Sequence, residues 1–194
     1  MPSHDNVVLE IPCADRLGEE KYEAELLWEG GRNFGLTPYK IRDLWLESKD
    51  YDVLFSDETK GKFKPFFYTL VNPAATWFEV RRRGDDTPRG LVYFTQIIPH
   101  FDAQGHFTFW DKIAGGREPF ILFLVEWIMD RYSLHRISAQ VPPYQAGVIR
   151  FIKRLGFEQE GEIREAVNYK GRKFPLILFG MTKDEVDEAI RSLY

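Results

Sequence analysis

Several features that define specialised classes of protein are missing from this sequence. Cys13 is the one cysteine, so no disulfide can form within the chain and a reducing, cytoplasmic compartment is expected. No apolar run reaches about 18 residues, so no membrane-spanning helix is expected. The first residues lack a basic segment followed by an apolar one, so a secretory signal is not expected.

An excess of positive charge is also missing, because the formal net charge is −4. A general nucleic-acid-binding protein would present a basic face, so this class is not expected. The basic run 81–83 allows two interpretations, a phosphate contact or the solvated end of a strand before the turn at Gly84, and the second is favoured. The chain has no Cys/His set with zinc spacing, no P-loop and no Gly-x-Ser-x-Gly motif.

What the chain does have is enough apolar sequence for a core. Hydrophobic residues make up 44% of its 194 residues, which excludes a disordered protein and predicts a single domain over 1–194. We expect a helical N-terminal part at 1–75, a core sheet at 76–182 and a C-terminal helix at 183–194. Periodicity and turn residues predict strands at 7–11, 76–80, 90–99, 106–111, 135–141, 157–169 and 174–182.

Helices are predicted at 15–28, from Thr37-Pro38 onward, and at 118–132, 145–155 and 183–193. The aromatic run 63–68 fits a short helix or a lid. Turns are expected around Gly84 and again between Asp102 and Gly105, and Pro175 is expected to begin the last strand because proline cannot donate to a sheet ladder. The order indicates an α+β fold with one mixed sheet, in which the strands at 106–111 and 135–141 run parallel.

The stretch from Leu134 to Thr182 carries two further motifs, Leu155-Gly156-Phe157 after a helix and Glu160-Gly161 after a strand. Together with the element order they resemble the C-terminal half of the GNAT superfamily of N-acetyltransferases, and most of all the branch that acetylates ribosomal-protein N-termini. The resemblance implies a central mixed, mostly antiparallel twisted sheet flanked by helices. It also places the acceptor beside 1–75 and the cofactor within 76–182.

The resemblance further implies acetyl-CoA, or another acyl-CoA, as cofactor. Its pyrophosphate would lie at the start of the helix that follows the predicted strand at 106–111, where free backbone N–H groups bind phosphate. The alternative is a plain glycine turn, and Arg117 stands where the family usually has Gly or Ala. The residues assigned to the cofactor are Trp110, Asp111, Lys112, Ile113, Ala114, Gly115, Gly116 and Arg117, together with Gln145, which stands where the family's second motif has an Asn.

Three residues are candidates for proton transfer. His106 on the predicted strand at 106–111 has an unperturbed pKa suited to a base near neutral pH, and Glu79 on a neighbouring strand is a second candidate base. The family's usual acid follows the helix Phe, but here Phe151 is followed by Ile152, so Tyr144 is the candidate to replace it. Each has a plainer interpretation, as a strand-end or surface residue for the first two and as a packing residue for Tyr144.

The function that this resemblance implies is acyl transfer to an amine by direct attack on the thioester in a ternary complex. The acceptor would be a protein N-terminus or a small molecule, with a homodimer allowed and no membrane or nucleic-acid partner expected. The alternative is a GNAT-fold protein that has lost catalysis and serves as a binding or structural module, favoured by Arg117, Gln145 and Ile152.

Overall fold

The computed structural model describes residues 8–9, 22–48, 61–110 and 117–193. These residues form two compact units. The first unit takes in 8–9, 22–48, 61–95 and 106–110, and the second takes in 96–105 and 117–193. A single domain over 1–194 therefore stays a prediction, and we describe each unit by itself.

The first unit is built from antiparallel strands and two helices. Its elements are β1 (Val8–Leu9), β2 (Tyr22–Glu29), β3 (Arg32–Asn33), α1 (Pro38–Ser48), α2 (Phe63–Leu70), β4 (Thr76–Arg82) and, to residue 95, β5 (Gly90–Ile98). β2 pairs with β1, β3 and β4, and β4 pairs with β5, each time antiparallel. The first predicted strand is confirmed at Val8–Leu9, and the rest of 7–11 lies outside the described residues.

The helix predicted at 15–28 is wrong where the structure describes it, because Tyr22–Glu29 is strand β2. The part at 15–21 lies outside the described residues. β2 contains a bulge between Leu26 and Trp28, which breaks the two-residue alternation typical of a strand. Local spacing alone therefore fits either element, and the ladder to β4 decides in favour of the strand.

Two helices of the first unit pack on its strands, and the first of them begins at a capping residue. The Thr37 hydroxyl accepts a hydrogen bond from the Lys40 backbone N–H at 3.1 Å, which caps α1 as predicted. The run 63–68 forms helix α2 rather than a lid. Leu44 and Leu70 are fully buried in one core with Trp77 of β4. Both helices thus bury an apolar side against the strands that carry Glu79 and its neighbours.

The second unit begins with the first part of β6 (Asp102–Phe109). It continues with α3 (Arg117–Tyr132), β7 (Arg136–Val141), α4 (Ala146–Leu155), β8 (Glu158–Tyr169), β9 (Arg172–Thr182) and α5 (Lys183–Arg191). β6 and β7 are parallel in the register Asp102↔Arg136 to Gln104↔Ser138, which confirms the predicted orientation. β9 pairs antiparallel with both β7 and β8. The predicted helices at 118–132, 145–155 and 183–193 are confirmed with bounds shifted by one or two residues.

The turn predicted between Asp102 and Gly105 is wrong, because both residues belong to β6. The turn lies before them, where the Phe101 N–H donates to the Ile98 carbonyl at 3.0 Å and His100 has a φ of 63°. Asp102 is extended because it opens the parallel pairing with Arg136. Aspartate is common in turns, but here the pairing with a strand residue 34 positions further along the sequence decides the conformation of Asp102.

Pro175 does not begin the last strand, because β9 starts at Arg172. Ile163 of β8 pairs with Leu176, and Val167 pairs with Phe174, so residues 164–166 stand opposite Pro175. Glu165 in this bulge has a φ of 52°. The irregular backbone accommodates a residue that has no N–H for the ladder, which is how proline enters a strand interior.

Over the described residues the class is α+β, with mostly antiparallel strand pairs and the parallel pair β6–β7, as predicted. The prediction of a helical N-terminal part at 1–75 is wrong for the described residues, because the strands β1, β2 and β3 precede α1. In the part of the chain that is described, no helix has the length and apolar character needed to cross a membrane.

Candidate functional site

Three rings form a stack across neighbouring strands of the first unit. The rings of Trp77 and Tyr93 lie 3.8 Å apart at 11°, and those of Tyr93 and His106 lie 4.4 Å apart at 7°. Trp77 and Tyr93 are cross-strand partners in the β4–β5 ladder, which brings their side chains to the same face. The predicted candidate His106 is therefore the end of an ordered aromatic row.

His106 makes one side-chain hydrogen bond in this row, to Thr95. Its Nε2 lies 2.9 Å from the Thr95 hydroxyl, and the donor depends on the tautomer. Burial lowers the pKa of His106 to about 4, because the charged imidazolium loses its water. The ring is therefore neutral at neutral pH and holds one nitrogen with a lone pair, which is the form that can accept a proton.

Glu79 lies on the same face of β4 as Trp77, two residues along, and is fully buried. Its Oε1 accepts a hydrogen bond from the Lys40 ammonium at 2.9 Å. Its Oε2 has no hydrogen-bond partner among the described residues. Burial raises the pKa of Glu79 above the ordinary value although Lys40 opposes this, so the carboxyl is easier to protonate than a surface glutamate.

Glu79 belongs to a cluster of ions that sequence reasoning missed. Lys40 of α1 also donates to Glu25 Oε2 at 3.1 Å, and Arg81 Nη2 lies 3.0 Å from the same oxygen. Glu25 and Glu79 are cross-strand partners. Lys40 contacts both carboxylates, although it is 39 residues from Glu79 in the sequence. The prediction of a helix at 15–28 concealed this pairing.

Arg81 departs from both sequence interpretations of the basic run. Its side chain is only 14% exposed and is held among carboxylates, so it is neither a solvated strand end nor an exposed phosphate contact. The strand itself runs on through Arg82, beyond the predicted end at Val80. The one available signal was the alternation of Glu23 and Glu25 facing Arg81 and Glu79, and it appears only once β2 is recognised as a strand.

The structure does not bring the two candidate bases into one hydrogen-bonded set. Glu79 is the ladder partner of Leu91, whereas His106 stacks on Tyr93, two residues further along β5. Among the described residues no hydrogen bond joins them. They are separate candidates on one face of the sheet, each with its own environment.

Tyr144 lies in the second unit, in an aromatic cluster. Its ring stacks on Tyr169 at 4.1 Å and 15°, and meets Phe174 edge-on at 5.1 Å. The plainer interpretation, a packing residue, accounts for this ring. Its use as an acid stays a prediction.

Residues 111–116 of the predicted phosphate loop, from Asp111 to Gly116, lie outside the described residues. Before them in the sequence, Trp110 donates a hydrogen bond from its indole nitrogen to the Pro88 carbonyl at 2.7 Å. After them in the sequence, Arg117 is the first residue of α3, a helix of 16 residues. A helix of that length presents free N–H groups and a positive end at Arg117.

The negative charge of Glu118, in the first turn of α3, is balanced by an arginine. Arg154 of α4 reaches Glu118 Oε1 through Nε at 2.9 Å and through Nη2 at 2.8 Å. Gln145, the last of the assigned residues, precedes α4 as its N-cap, and its side chain makes no capping hydrogen bond. Its amide is thus not used by the helix that it precedes.

No protein-family model matches the sequence, and no curated protein sequence matches it either. Solved structures do match the chain. A spermidine N-acetyltransferase from Vibrio cholerae, solved with CoA and spermine, has a TM-score of 0.66 at 16% identity, over 78% of this chain and 94% of its own. A ribosomal-protein-S5-alanine acetyltransferase from Vibrio fischeri has a TM-score of 0.61 at 16% identity, over 84% of this chain and 94% of its own.

These similarities are too distant in sequence to show more than the fold. This chain shares the fold of these two acetyltransferases, as the resemblance in the sequence implied, and the match covers 94% of each of the two solved chains.

Proposed function

We propose that this protein is an acyl-CoA-dependent N-acyltransferase, and that its acyl donor is acetyl-CoA. The observation that carries the proposal is the likeness to a spermidine N-acetyltransferase solved with CoA and spermine, over 94% of that chain. The acceptor is an amine, either on a protein N-terminus or on a small molecule. A cytoplasmic setting and a homodimer are parts of the same proposal.

The described residues at the start of α3 fit the phosphates of CoA. The helix offers N–H groups and a positive end, Arg117 adds a cation, and Arg154 balances the negative charge of Glu118. We assign the phosphates to Lys112–Gly116 and Arg117, with Trp110 beside them and Gln145 as a further polar contact. The cofactor supplies an activated thioester.

The reaction joins the amine nitrogen to the acyl carbon while the carbon–sulfur bond breaks and its electron pair leaves on sulfur. The ammonium form of the acceptor must first lose a proton, because only the neutral amine has a lone pair. We assign this proton to His106, whose neutral ring has one nitrogen with a lone pair, although its lowered pKa makes it a weaker base than a free imidazole. Glu79 is the second candidate base, and Tyr144 would protonate the leaving sulfur.

The competing function is a GNAT-fold protein without catalysis. One observation favours it: Ile152, which stands where the family's acid is usual, is buried with 1% exposure and has no proton to give. Titration calorimetry with acetyl-CoA and with CoA separates the two functions. Saturable micromolar binding supports the acyltransferase, and no binding at millimolar ligand contradicts it.

Variants of the loop test the assignment of the phosphates. Replacing Gly115 or Gly116 by Val should abolish CoA binding, because a side chain would obstruct close approach of the backbone to phosphate. Gly147→Ala is the control, since an added Cβ at this position in α4 meets nothing within 4 Å. Unchanged affinity in the loop variants would contradict the assignment.

The base is tested after binding is established. Release of CoA thiol is followed with a panel of amines for His106→Ala, Glu79→Gln and Tyr144→Phe. Loss of turnover with retained CoA affinity identifies the residue that moves the proton. Full turnover in His106→Ala would exclude His106 as the base.

A further inference from the structure

The first unit contains a cavity of about 340 Å³ whose lining includes none of the residues assigned to CoA or to proton transfer. Its walls come from β2, from residues 33–37 and from the side chains of Lys40 and Arg81. Asn33 holds the 33–37 segment in place, because its side chain exchanges two hydrogen bonds with the Leu36 backbone, at 2.9 and 2.7 Å. The cavity therefore has one ordered loop as a wall, opposite charged side chains.

Glu25 directs one carboxylate oxygen to this wall. The residue is only 3% exposed, and its Oε2 is occupied by both Lys40 and Arg81, at 3.1 and 3.0 Å. Its Oε1 accepts no hydrogen bond from any described residue. A Cβ built on Gly35, which lines the cavity, would lie 3.0 Å from Oε1. A nearly buried carboxylate thus keeps one oxygen at the cavity.

The charges around this oxygen do not cancel. The cations Lys40 and Arg81 are surrounded by the carboxylates of Glu23, Glu25, Glu79 and Asp86, each within 4 Å of one of them. Asp86 is fully exposed and screened by solvent, which leaves three possible negative charges against two positive ones in this cluster of described residues. A carboxylate oxygen in a low-dielectric setting gains most from a cationic donor, since charge-assisted hydrogen bonds are the strong ones.

Two of the remaining side chains in the wall are apolar. Phe34 and Leu36 line the cavity beside the loop backbone. Such a surface favours methylene groups over a second charge, because burying a charge without a partner is costly. The cavity therefore combines an acceptor for a cation with room for a short hydrocarbon chain.

We propose that this cavity binds the ammonium group of an unbranched aliphatic amine, with Glu25 Oε1 accepting its hydrogen bond. The methylene chain lies against Phe34 and Leu36. The chemistry is shared by a free alkylamine and by a lysine side chain. Binding needs neither CoA nor acyl transfer, so the cavity and the proposed enzyme activity can fail independently.

The test compares three ligands of one shape at neutral pH without CoA. The full chain is titrated with n-butylammonium, n-butanol and n-butyrate, followed by calorimetry and by NMR. We expect saturable binding of n-butylammonium, with n-butanol weaker by about tenfold, because the neutral ligand loses the charge-assisted hydrogen bond. Equal binding of the alcohol, or preferential binding of butyrate at Lys40 and Arg81, would overturn the proposal.

Two variants locate the site. Gly35→Ala should weaken n-butylammonium by about tenfold or more, because the added methyl takes the space beside Oε1. Gly147→Ala is the matched control and should bind as the parent does. Glu25→Gln removes the charge with little change of shape, and circular dichroism shows whether it folds. Parent-like affinity in a folded Gly35→Ala protein would overturn the proposal even if Glu25→Gln cannot be prepared.

The source of the amine is decided by a last ligand, Nα-acetyl-lysine methylamide. Affinity equal to that of n-butylammonium indicates a lysine side chain on a protein. Affinity weaker by about tenfold indicates a free amine whose far end the cavity also encloses. No saturable binding of either amine would overturn the proposal.

Discussion

The imidazole of His106 lies parallel to the phenol ring of Tyr93, with ring centroids 4.4 Å apart and 7° between the planes. Tyr93 is itself only 8% exposed, and burial raises its pKa above the ordinary value, so the ring next to His106 is a neutral phenol. His106 is consequently held in an environment that disfavours its own positive charge. This pair has consequences for stability that do not depend on catalysis.

The stability of the protein should fall as the pH drops from about 6.5 to about 4. The unfolded chain protonates His106 at its ordinary pKa of about 6.5, while the folded chain does so only near 4. Between these values the unfolded state binds more protons, so acid favours unfolding, by up to about 3 kcal/mol. Urea unfolding of the parent and of His106→Asn at several pH values measures the effect.

The control for this prediction is His135→Asn, because His135 is exposed. The loss of stability between these pH values should shrink in His106→Asn and persist in His135→Asn. An identical pH dependence in the parent and in His106→Asn would show that the buried imidazole is not its source.

Lys40→Met should destabilise the protein by about 2–4 kcal/mol. The substitution removes the cation that lies 3.1 Å from Glu25 and 2.9 Å from Glu79, and both carboxylates are buried. Removing one partner of a buried ion pair leaves a charge without compensation, which is strongly destabilising. Lys64→Met on the exposed side of α2 is the control, with an expected change within about 0.5 kcal/mol. Similar urea midpoints for the two variants would contradict the prediction.

Gly90→Ala should destabilise the protein by about 1–3 kcal/mol, because the added methyl group would overpack its surroundings. An added Cβ would lie 2.6 Å from the Thr108 carbonyl oxygen and 2.8 Å from Phe109 Cδ1, so backbone must move. Gly147→Ala provides the comparison, since helix α4 has open space there and alanine should stabilise it by about 0.5–1 kcal/mol. The two alanine variants should therefore shift the unfolding midpoint in opposite directions.

Arg154→Gln should weaken CoA binding if CoA phosphates lie at the start of α3. The substitution removes the guanidinium that lies 2.8 Å from Glu118 and leaves that negative charge in the first helical turn. We expect a loss of affinity of about two- to fivefold, since the pair is partly exposed and screened by solvent. Adding Glu118→Gln should restore the affinity. Calorimetry of the two single variants and the double variant tests this, and a double variant as weak as Arg154→Gln contradicts the explanation.

Thr182→Ala should destabilise α5 by about 1 kcal/mol. The Thr182 hydroxyl accepts from the Glu185 N–H, and the Glu185 carboxylate accepts from the Thr182 N–H at 2.7 Å. The variant loses the first of these bonds, whereas Thr182→Ser keeps it. Thermal unfolding should separate alanine from serine by roughly 2–4 °C, and equal midpoints would show that the cap contributes nothing measurable.

The sequence predicts best where the deciding interactions are local. Gly156 ends α4 with a φ of 104°, as its position after Leu155 indicated, and Thr37 caps α1. It fails at β2, where the spacing of Leu26, Leu27 and Trp28 fits a helix until the bulge and the ladder to β4 are known. It fails again at Asp102, whose partner Arg136 lies far along the chain.

The candidate site shows the same division. His106 and Glu79 were chosen because of their residue types and predicted strands, and both lie on the expected strands. Lys40 and Glu25 were missed, because Lys40 meets Glu79 across 39 residues and Glu25 was placed in a helix. A local sequence pattern cannot reveal a contact between residues so far apart in the sequence, because the contact forms only when α1 packs onto the sheet.

The bulge opposite Pro175 also bears on how the protein behaves at high concentration. β8 is the outer strand of its unit, with β9 as its ladder partner, and its exposed side chains are rich in charge. A strand from another molecule that paired with β8 would lose register at residues 164–166. It would also lie beside the negative charges of Glu158, Glu160 and Glu162, which precede the bulge in the sequence. We expect concentrated solutions to resist fibril-like association along this edge, and straightening the bulge to remove that protection.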